Sequence, residues 1–554
     1  MRKYIICALI FVHKLYSQSN LALYNEFSVW NIYQDELFNK HSLKSHLSIR
    51  PYFQHRFLSE LKDLENQRNS EVAEWNYEYF RQNRDSIAEC LDIKKKGKKF
   101  LKYFNTNPGH FFSVYTSDYY FVLDPIIRFD IGKEKYLDQN LFINTRGIRF
   151  KAGIDHKLFL FSELTENQIL PLSFIQDYSS IYKAIPGATF VKSYSSSLFH
   201  VSKGFDYLMA EAGVIYKLSK SIDLSFNHNR NSIGVGIRSL LLSDFAAPNF
   251  NFQIRTQMGR VNYINTFSEL SRESRFIQDT DRLLQKKYSA THYLSIDIFK
   301  NWNIGLFETV IFNRKRGFEL QYLNPIILYR AVEQAIGSPD NVLLGLQSQI
   351  HLFRKFSFYG QIILDEFVFK RLFSNNNGWW ANKYGFQLGL KYPNFFKIRN
   401  LHLQLEYNTV RPFTYSYSDS MANYSHYHQS LAHPLGSNFR EYIGRIIYHP
   451  NGKFNFEFCW MNYKKGLDTL DFNYGGNILK DNSTRFSDYN NKTTQGLLQK
   501  VNLFTLRASY EILMRTWLDL SVGVRNLNSE QGNNATPWIQ AGIRMNLNYR
   551  TDLL

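Results

Sequence analysis

The chain has 554 residues, of which 44% are hydrophobic and 17% aromatic, with only 3 cysteines and 13 prolines. This composition excludes collagen-like, disulfide-rich and low-complexity disordered proteins. The formal net charge of +18 is compatible with nucleic acid, anionic lipid or acidic polysaccharide as a partner and does not choose among them.

Residues 1–18 predict a secretory signal peptide. Arg2 and Lys3 precede an apolar run that ends at Val12, and Ser17 offers a small residue before a cleavage site. The alternative is a buried N-terminal element, which this order of charge, apolar run and small residue disfavours. Beyond the segment no apolar run approaches the roughly 20 residues of a membrane-spanning helix, so an exported chain that spans a membrane does so as a closed β-barrel.

Residues 19–120 predict a partly helical segment. Between Phe57 and Cys90, apolar residues occur at helical spacing among many charges, and a basic run follows at Lys94–Lys99. We interpret the segment as a small helical element at one mouth of a larger domain. The basic run fits a solvated surface, and the alternative is contact with phosphate-bearing lipid or acidic glycan.

Residues 121–554 alternate apolar and polar residues in a way that indicates long β-strands. From Ile539 to Tyr549 every second residue is apolar or aromatic, over a longer stretch than the about five or six residues of a soluble strand. A soluble β-sandwich is the alternative, but its strands are shorter. The same period of two recurs at Tyr384–Lys391, Leu401–Asn408, Phe454–Trp460 and Leu518–Arg525.

The connections between these strands differ in length. His449–Gly452 and Lys300–Asn301 predict short turns, whereas Ser416–Arg440 and Asp468–Gln499 are long and polar. Short turns at one rim and long loops at the other are typical of outer-membrane barrels. We therefore predict an all-β protein, a transmembrane antiparallel outer-membrane β-barrel of about 16–18 strands that occupies residues 121–554.

Motifs for catalysis and metal binding are absent from the sequence. It lacks the nucleophile elbow, the His-Glu-x-x-His zinc motif, the phosphate-binding loop and a Cys-x-x-Cys pair. Gly234 and Gly236 lack the third glycine of a dinucleotide site, and we interpret them as a tight bend or a close approach of strands. His426, His428 and His433 share a loop without cysteine or carboxylate, so we predict neither a metal nor a cofactor.

Several polar residues are candidates for ligand binding. Asp365 and Glu366 follow a strand-like run and form a carboxylate pair, but no partnered histidine or nucleophile supports catalysis. Glu406 and Asn408 share the lumen face of one predicted strand, and Arg411 lies just beyond it. Such a row can bind sugars, line a water-filled pore or fill the interior of a plugged barrel. The sequence does not separate these three interpretations.

The chain resembles Bacteroidetes outer-membrane proteins of the gliding-motility RemB group, which is similar to the capsule-assembly Wzi family. The resemblance covers nearly the whole mature chain. Its longest motif is Phe226–Asp244, and Tyr322–Pro325 is followed by Arg330 and Glu333. The other motifs are Ser48–Tyr52, Asn144–Gly147, Thr165–Gln168, Ile336–Asn341, Tyr359–Phe367, Glu406–Pro412 and Leu431–Phe439.

This resemblance implies an outer-membrane barrel with a role at the cell surface. Wzi-like proteins hold capsular polysaccharide at the outer leaflet, and RemB-like proteins take part in gliding motility. The expected partners are surface or capsular polysaccharide, outer-membrane lipid and gliding-machinery proteins, without nucleic acid. A basic chain favours an acidic polymer, a preference that salt weakens.

We therefore predict a non-enzymatic outer-membrane barrel that binds or organises surface polysaccharide, in support of capsule assembly and attachment or of gliding. The alternatives are an outer-membrane pore or transporter and a barrel hydrolase that acts on lipid or glycan. The candidate ligand-binding residues are Arg238, Arg330, Glu333, Asp365, Glu366, Glu406, Asn408 and Arg411.

Overall fold

The computed structural model of the protein describes residues 46, 48–51, 109–155, 157–277, 279, 281–314, 317–326, 328–337, 340–353, 355–366, 378–530 and 532–547. The predicted signal peptide, the predicted helical stretch Phe57–Cys90 and the basic run Lys94–Lys99 lie outside these residues. The three predictions made for them therefore stay predictions.

Eighteen antiparallel strands close into a barrel in the described chain, which confirms the predicted fold class. The first nine are β1 Tyr119–Glu134, β2 Leu141–Ile154, β3 Leu158–Leu170, β4 Val201–Lys217, β5 Ile222–Asn229, β6 Asn249–Met258, β7 Val261–Ser271, β8 Lys286–Phe299 and β9 Trp302–Phe312. The other nine are β10 Asn341–Leu352, β11 Phe356–Leu364, β12 Tyr384–Tyr392, β13 Leu401–Val410, β14 Phe439–Tyr448, β15 Phe454–Leu467, β16 Leu497–Leu513, β17 Thr516–Ser529 and β18 Gly532–Met545.

The first and last strands of the barrel pair with each other. Phe129 of β1 lies opposite Ile543 of β18, and each of the other strands pairs with its neighbours along the chain. Closure matters because an unpaired strand edge would leave backbone N–H and C=O groups without partners in the hydrocarbon of a membrane. The barrel therefore satisfies its own backbone.

Apolar side chains point out of the barrel and polar side chains point in. In β12, Leu388 is 60% exposed, whereas the adjacent Gln387 is 1% exposed. In β13, Leu405 faces outward and Glu406 is buried inside. This distribution is the reverse of a soluble protein and matches a barrel that spans a membrane.

The two rims differ as the sequence predicts. Residues 300–301 and 449–453 form short turns at one rim, and 411–438 and 468–496 are long loops at the other. Long loops also carry the helices α1 Ser173–Tyr182 and α2 Tyr329–Ile336 and the 3-10 turns Leu320–Leu323 and Asn482–Thr484, while the short-turn rim carries the 3-10 turn Phe395–Lys397. Among the described residues, no helix is both long and apolar enough to cross a membrane.

Seven short strands add to the barrel strands within the described ranges: Ile49–Arg50, Phe112–Tyr115, Phe190–Ser196, Ser232–Ile233, Arg275–Phe276, Ser425–His426 and Gln429–Ser430. Phe112–Tyr115 pairs with β1. Phe190–Ser196 pairs with the first residues of β4, at the long-loop rim. The other segments lie in loops or inside the barrel.

The last strand ends before the point that the alternation predicts. The alternation predicts a strand to Tyr549, but β18 ends at Met545 and excludes Asn546 and Leu547; Asn548 and Tyr549 lie outside the described residues. Asn546 adopts a φ of 53°, a left-handed conformation that ends the strand, and its N–H donates to the Arg515 carbonyl at 2.9 Å. A local backbone turn therefore overrides an alternation that continues in the sequence.

The apolar outer face predicts that a charge introduced at two exposed leucines changes the stability of the barrel by very different amounts. Leu388→Arg places a charge on the lipid face at the middle of β12 and should destabilise the barrel by about 2–4 kcal/mol. The check is chemical unfolding in phospholipid vesicles. The matched control is Leu470→Arg, in an exposed long loop, which should change stability by less than about 0.5 kcal/mol. Equal effects of the two substitutions would contradict the membrane-facing assignment.

Candidate functional site

The loop of residues 230–248, here called the inner loop, folds into the lumen. The Leu240 N–H donates to Gln361 Oε1 of β11 at 2.8 Å. The hydroxyl groups of Tyr415 and Tyr424 donate to the carbonyl oxygens of Leu240 and Leu241, each at 2.7 Å. The inner loop therefore contacts a wall strand and a long rim loop at the same time.

An N-terminal segment lies against the inner loop inside the barrel. Ile49–Arg50 forms a two-residue antiparallel ladder with Ser232–Ile233. The carbonyl of Ser48 accepts the Gly234 N–H at 2.7 Å, and the Ser48 hydroxyl accepts from Tyr293 of β8 at 2.9 Å. Two separate segments of the chain thus fill the lumen together.

A small cavity adjoins the inner loop. A cavity of about 20 Å³ lies between the inner loop and the wall, and its lining includes Asn231, Ser243, Thr266 and Thr291. A space of that size holds about one water molecule. The inner loop and the N-terminal segment therefore occupy part of the lumen.

Glu406 holds the inner loop by accepting hydrogen bonds from its backbone. Its Oε2 accepts the Ile237 N–H at 2.7 Å and its Oε1 accepts the Arg238 N–H at 3.0 Å. The Tyr359 hydroxyl donates to Oε2 at 2.8 Å, and the Asn408 side-chain amide donates to Oε1 at 2.9 Å. Two backbone and two side-chain donors thus surround one buried carboxylate.

Gly236 allows the inner loop to approach this carboxylate. A Cβ atom at position 236 would lie 2.5 Å from Glu406 Oε2 and 2.8 Å from the Arg238 carbonyl. Only a residue without a side chain fits at that distance. The sequence suggests a tight bend or a close approach of strands at Gly234 and Gly236, and at Gly236 the structure shows the inner loop approaching Glu406.

A second carboxylate, Glu441 of β14, extends the network. The Asn408 amide donates to it at 3.0 Å, and the Arg238 guanidinium lies 3.5 Å away. His433 Nε2 lies 2.7 Å from Glu441, while His433 Nδ1 accepts the Leu435 N–H at 3.1 Å. Since Nδ1 is an acceptor, Nε2 carries the proton and donates to Glu441. Burial lowers the pKa of His433, which favours this neutral form.

Asp365 and Glu366 connect two rim loops. Asp365 Oδ2 accepts the Tyr415 N–H at 2.7 Å, and Glu366 lies 3.2 Å from the Lys383 ammonium. Lys383 also donates to the Ser416 carbonyl at 3.1 Å. Burial raises the pKa of Asp365 to about 7. Asp365 therefore contacts the 411–438 loop directly, and Glu366 pairs with Lys383, which contacts that loop through Ser416.

Arg411 also connects rim loops, whereas Arg330 and Glu333 lie apart. The Arg411 guanidinium donates to the Trp379 and Asn491 carbonyls at 3.4 and 3.3 Å. Arg330 and Glu333 form an ion pair of 2.7 Å on α2, with Arg330 exposed. The predicted polar set therefore divides into three groups: Arg238, Glu406 and Asn408 inside the lumen, Asp365, Glu366 and Arg411 between rim loops, and Arg330 with Glu333 on α2.

The three loop histidines have separate surroundings. His426 Nδ1 accepts the Ser271 N–H at 2.9 Å, and burial lowers the pKa of His426 to about 3. His428 Nδ1 lies 3.0 Å from the Tyr182 carbonyl, and His433 contacts Glu441 as described. Within the described ranges, no three His, Cys, Asp or Glu side chains are grouped to hold a metal ion.

Two long loops bring aromatic side chains together at the rim, which the sequence did not predict. The centroids of Trp379 and Tyr489 are 5.1 Å apart, and those of Phe472 and Phe486 are 5.0 Å apart. We call these four residues the aromatic rim. Phe472, Phe486 and Tyr489 are exposed. The only sequence signal was the number of aromatic residues in polar loops.

Polar side chains lie beside the aromatic rim. The Arg485 guanidinium is 4.1 Å from the centroid of Trp380 and 2.5 Å from the Asp488 carboxylate. The Trp380 N–H donates to the Asp488 carbonyl at 2.9 Å, which joins the two loops through their backbones. The surface thus combines flat apolar faces with hydrogen-bonding groups.

Comparisons with known proteins relate the chain to others through its fold. No family model and no curated protein matches the sequence. The structure is similar to that of Wzi, a carbohydrate-binding outer-membrane β-barrel involved in group 1 capsule assembly in Escherichia coli. The TM-score is 0.56 at 12% identity, over 96% of this chain and 100% of that one.

Other similar structures cover less of the chain. The outer membrane protein OprD of Pseudomonas aeruginosa has a TM-score of 0.41 at 11% identity, over 77% of this chain and 93% of that one. OccAB2 of Acinetobacter baumannii has a TM-score of 0.41 at 8% identity, over 77% and 97%. The similarity to Wzi shows that the chain has the fold of an outer-membrane β-barrel. Membership in the Bacteroidetes RemB group stays a prediction.

The hydrogen bonds between Glu406 and the inner loop predict that Glu406→Gln weakens the attachment of this loop. An amide offers one acceptor oxygen where the carboxylate offers two, so one of the Ile237 and Arg238 N–H groups would face an NH₂ group. We expect a loss of about 1–3 kcal/mol, measured as hydrogen exchange about 5- to 150-fold faster at these two amides.

The control for this experiment is Glu166→Gln. Glu166 is exposed and pairs with Arg146 at 3.1 Å on the outer face, so its loss should leave exchange in the inner loop unchanged. Unaltered exchange at Ile237 and Arg238 in the Glu406 variant would refute the role of this carboxylate.

Proposed function

We propose that the protein is an outer-membrane barrel that binds or organises surface polysaccharide, in support of capsule assembly and attachment or of gliding motility. The observation that carries the proposal is the occupied lumen, since the inner loop and the N-terminal segment leave the long-loop surface as the place for a ligand. The whole-chain similarity in fold to the carbohydrate-binding barrel Wzi supports it.

The occupied lumen weighs against the pore alternative. Passage of a solute would require release of the inner loop from Glu406 and from Gln361. The donors in these contacts are backbone N–H groups of the inner loop, so their loss would leave buried polar groups unpaired. The closed form is therefore the resting state in this proposal.

The aromatic rim suits a polysaccharide. Ring faces stack against the C–H faces of sugars, and Arg485 and Asp488 offer hydrogen bonds to hydroxyl groups beside them. Each contact is weak, but a repeating polymer presents many copies at high effective concentration. An acidic polymer gains further from the net charge of +18.

The predicted polar set has supporting roles in this proposal. Glu406, Asn408 and Arg238 hold the inner loop in place. Arg411 joins the two loops that present the aromatic rim, and Asp365 and Glu366 support the loop of Trp379 through Tyr415 and Lys383. Arg330 and Glu333 remain candidates for direct contact because Arg330 is exposed on α2. Gliding-machinery proteins are proposed as partners in the motility role, and no catalytic step is proposed.

Polysaccharide binding predicts a loss when the aromatic rim is truncated. Trp379→Ala and Tyr489→Ala should each lower retention of purified acidic cell-surface polysaccharide by about three- to tenfold, because each ring contributes roughly 0.5–1.5 kcal/mol. Retention by the detergent-solubilised protein is measured at increasing salt and should fall as salt rises.

The matched control is Tyr136→Ala, an exposed aromatic residue in a different loop of the same rim. It should retain the polymer like the parent protein. Equal losses for all three variants, or no loss for any, would remove the aromatic rim from the proposed site.

The closed lumen predicts low conductance in planar bilayers. Gly236→Ala forces a Cβ against Glu406 and the Arg238 carbonyl, so channel openings should become more frequent than in the parent protein. Gly444→Ala is the control, because its Cβ would meet only the Trp460 ring, at 3.3 Å, and the Leu405 side chain. Steady open conductance of the parent protein would favour the pore alternative instead.

A further inference from the structure

Three cationic side chains stand side by side on the outer face of the barrel. Arg440 of β14 lies opposite Lys464 of β15, and Lys464 lies opposite Lys500 of β16. All three are exposed. Adjacent strands are about 4.8 Å apart, so the three charges span roughly 10 Å. We call these three residues the cationic row.

The cationic row lies close to the long-loop rim. Arg440 is the second residue of β14, and Lys464 and Lys500 lie near the rim ends of their strands. The next outward-facing positions toward the middle of the barrel are Tyr442, Asn462 and Asn502, which lie opposite one another. Further down come Trp460 and Phe504.

This order of residues places the row at a defined depth. Aromatic residues on the outer face mark the interface between hydrocarbon and headgroups. Exposed Phe458 and Leu506 continue the apolar face below Trp460 and Phe504. Since long loops of such barrels face outward from the cell, the cationic row lies at the level of the outer-leaflet headgroups.

The arrangement is unfavourable without a ligand. Like charges directly opposite on neighbouring strands repel each other. The flanking residues in the same register are Thr409 and Asn528, which carry no charge. In the part of the chain that the structure describes, no ion pair joins Arg440, Lys464 or Lys500 to a carboxylate.

Another pair of charged residues on the outer face shows how opposite charges usually neutralise each other across strands. Arg146 of β2 lies opposite Glu166 of β3, and their side chains form an ion pair of 3.1 Å. At that position the sequence places opposite charges across the strands. The cationic row instead keeps three like charges together, which suits an anion supplied from outside the chain.

We propose that the cationic row binds the phosphate groups of a phosphorylated lipid in the outer leaflet. Guanidinium and ammonium groups are the usual partners of phosphate, and two or three of them converge on one headgroup. The acyl chains of such a lipid would lie against the apolar face that includes Phe504 and Leu506. The proposal is independent of the polysaccharide role.

The test replaces the cationic row and counts bound lipid. The triple variant Arg440→Gln, Lys464→Gln, Lys500→Gln and the parent protein are purified in detergent and titrated with bisphosphorylated lipid A. Native mass spectrometry measures the bound fraction. We expect apparent affinity to fall roughly 10- to 100-fold in the triple variant, since each cation near a lipid surface contributes about 1 kcal/mol.

The matched control removes three other exposed cations near the same rim: Lys133→Gln, Lys192→Gln and Lys203→Gln. It has the same net charge as the triple variant and should bind lipid like the parent. Dephosphorylated lipid A should bind the parent weakly. Equal binding of lipid A by the two triple variants, or of both lipids by the parent, would overturn the proposal.

Two further readouts separate folding and glycan effects. Lipid A should raise the unfolding temperature of the parent but not of the cationic-row variant, which should be at least as stable as the parent without lipid because its charge repulsion is gone. The variant should also keep its polysaccharide retention. Loss of polysaccharide retention with unchanged lipid binding would assign the row to the glycan surface instead.

Discussion

The interior of the barrel depends on one buried carboxylate, Glu406. A charge out of contact with water costs several kcal/mol unless hydrogen bonds surround it, and here the Ile237 and Arg238 N–H groups, the Tyr359 hydroxyl and the Asn408 amide do so. The dependence is mutual, because the two backbone N–H groups would also be unpaired without the carboxylate. This contact sets the position of the inner loop.

The position of the inner loop then organises the long-loop rim. It places Arg238 beside Glu441, which also holds His433 of the 411–438 loop. From there, contacts of Asp365 and Arg411 join neighbouring rim loops through backbone groups. Loops fixed in this way present ligand-binding side chains without a further cost of ordering, which is how preorganisation raises affinity. The inner loop inside the lumen and the ordered rim are parts of one arrangement.

The outer face follows a different physical rule from the inner one. Inside, polar groups are satisfied by each other, as in the Glu406 network. Outside, apolar side chains meet lipid and leave few partners for a charge, so a charge on that face is paired, as in Arg146 and Glu166, or lies at headgroup level, as in the cationic row. The depth of a residue in the membrane therefore decides what its charge can do.

Much of the fold was predictable because strand alternation is local. The period of two in Tyr384–Lys391 and Leu401–Asn408 correctly gave the face of each residue, including the inward positions of Glu406 and Asn408. The end of β18 was wrong, because the left-handed turn at Asn546 is invisible to an alternation pattern. The sequence also could not indicate that Gly236 lies against Glu406, since Glu406 is on a strand far along the chain.

The sequence by itself determined that this chain forms a membrane barrel with long loops at one rim, and which side chains face the lumen, because these properties depend on neighbouring residues and on turn length. Only the tertiary structure decided that the inner loop returns to Glu406, that Trp379 meets Tyr489, and that Arg440, Lys464 and Lys500 align. The physical reason is register: these contacts join residues far apart in the chain and exist only once the strands have paired and the barrel has closed.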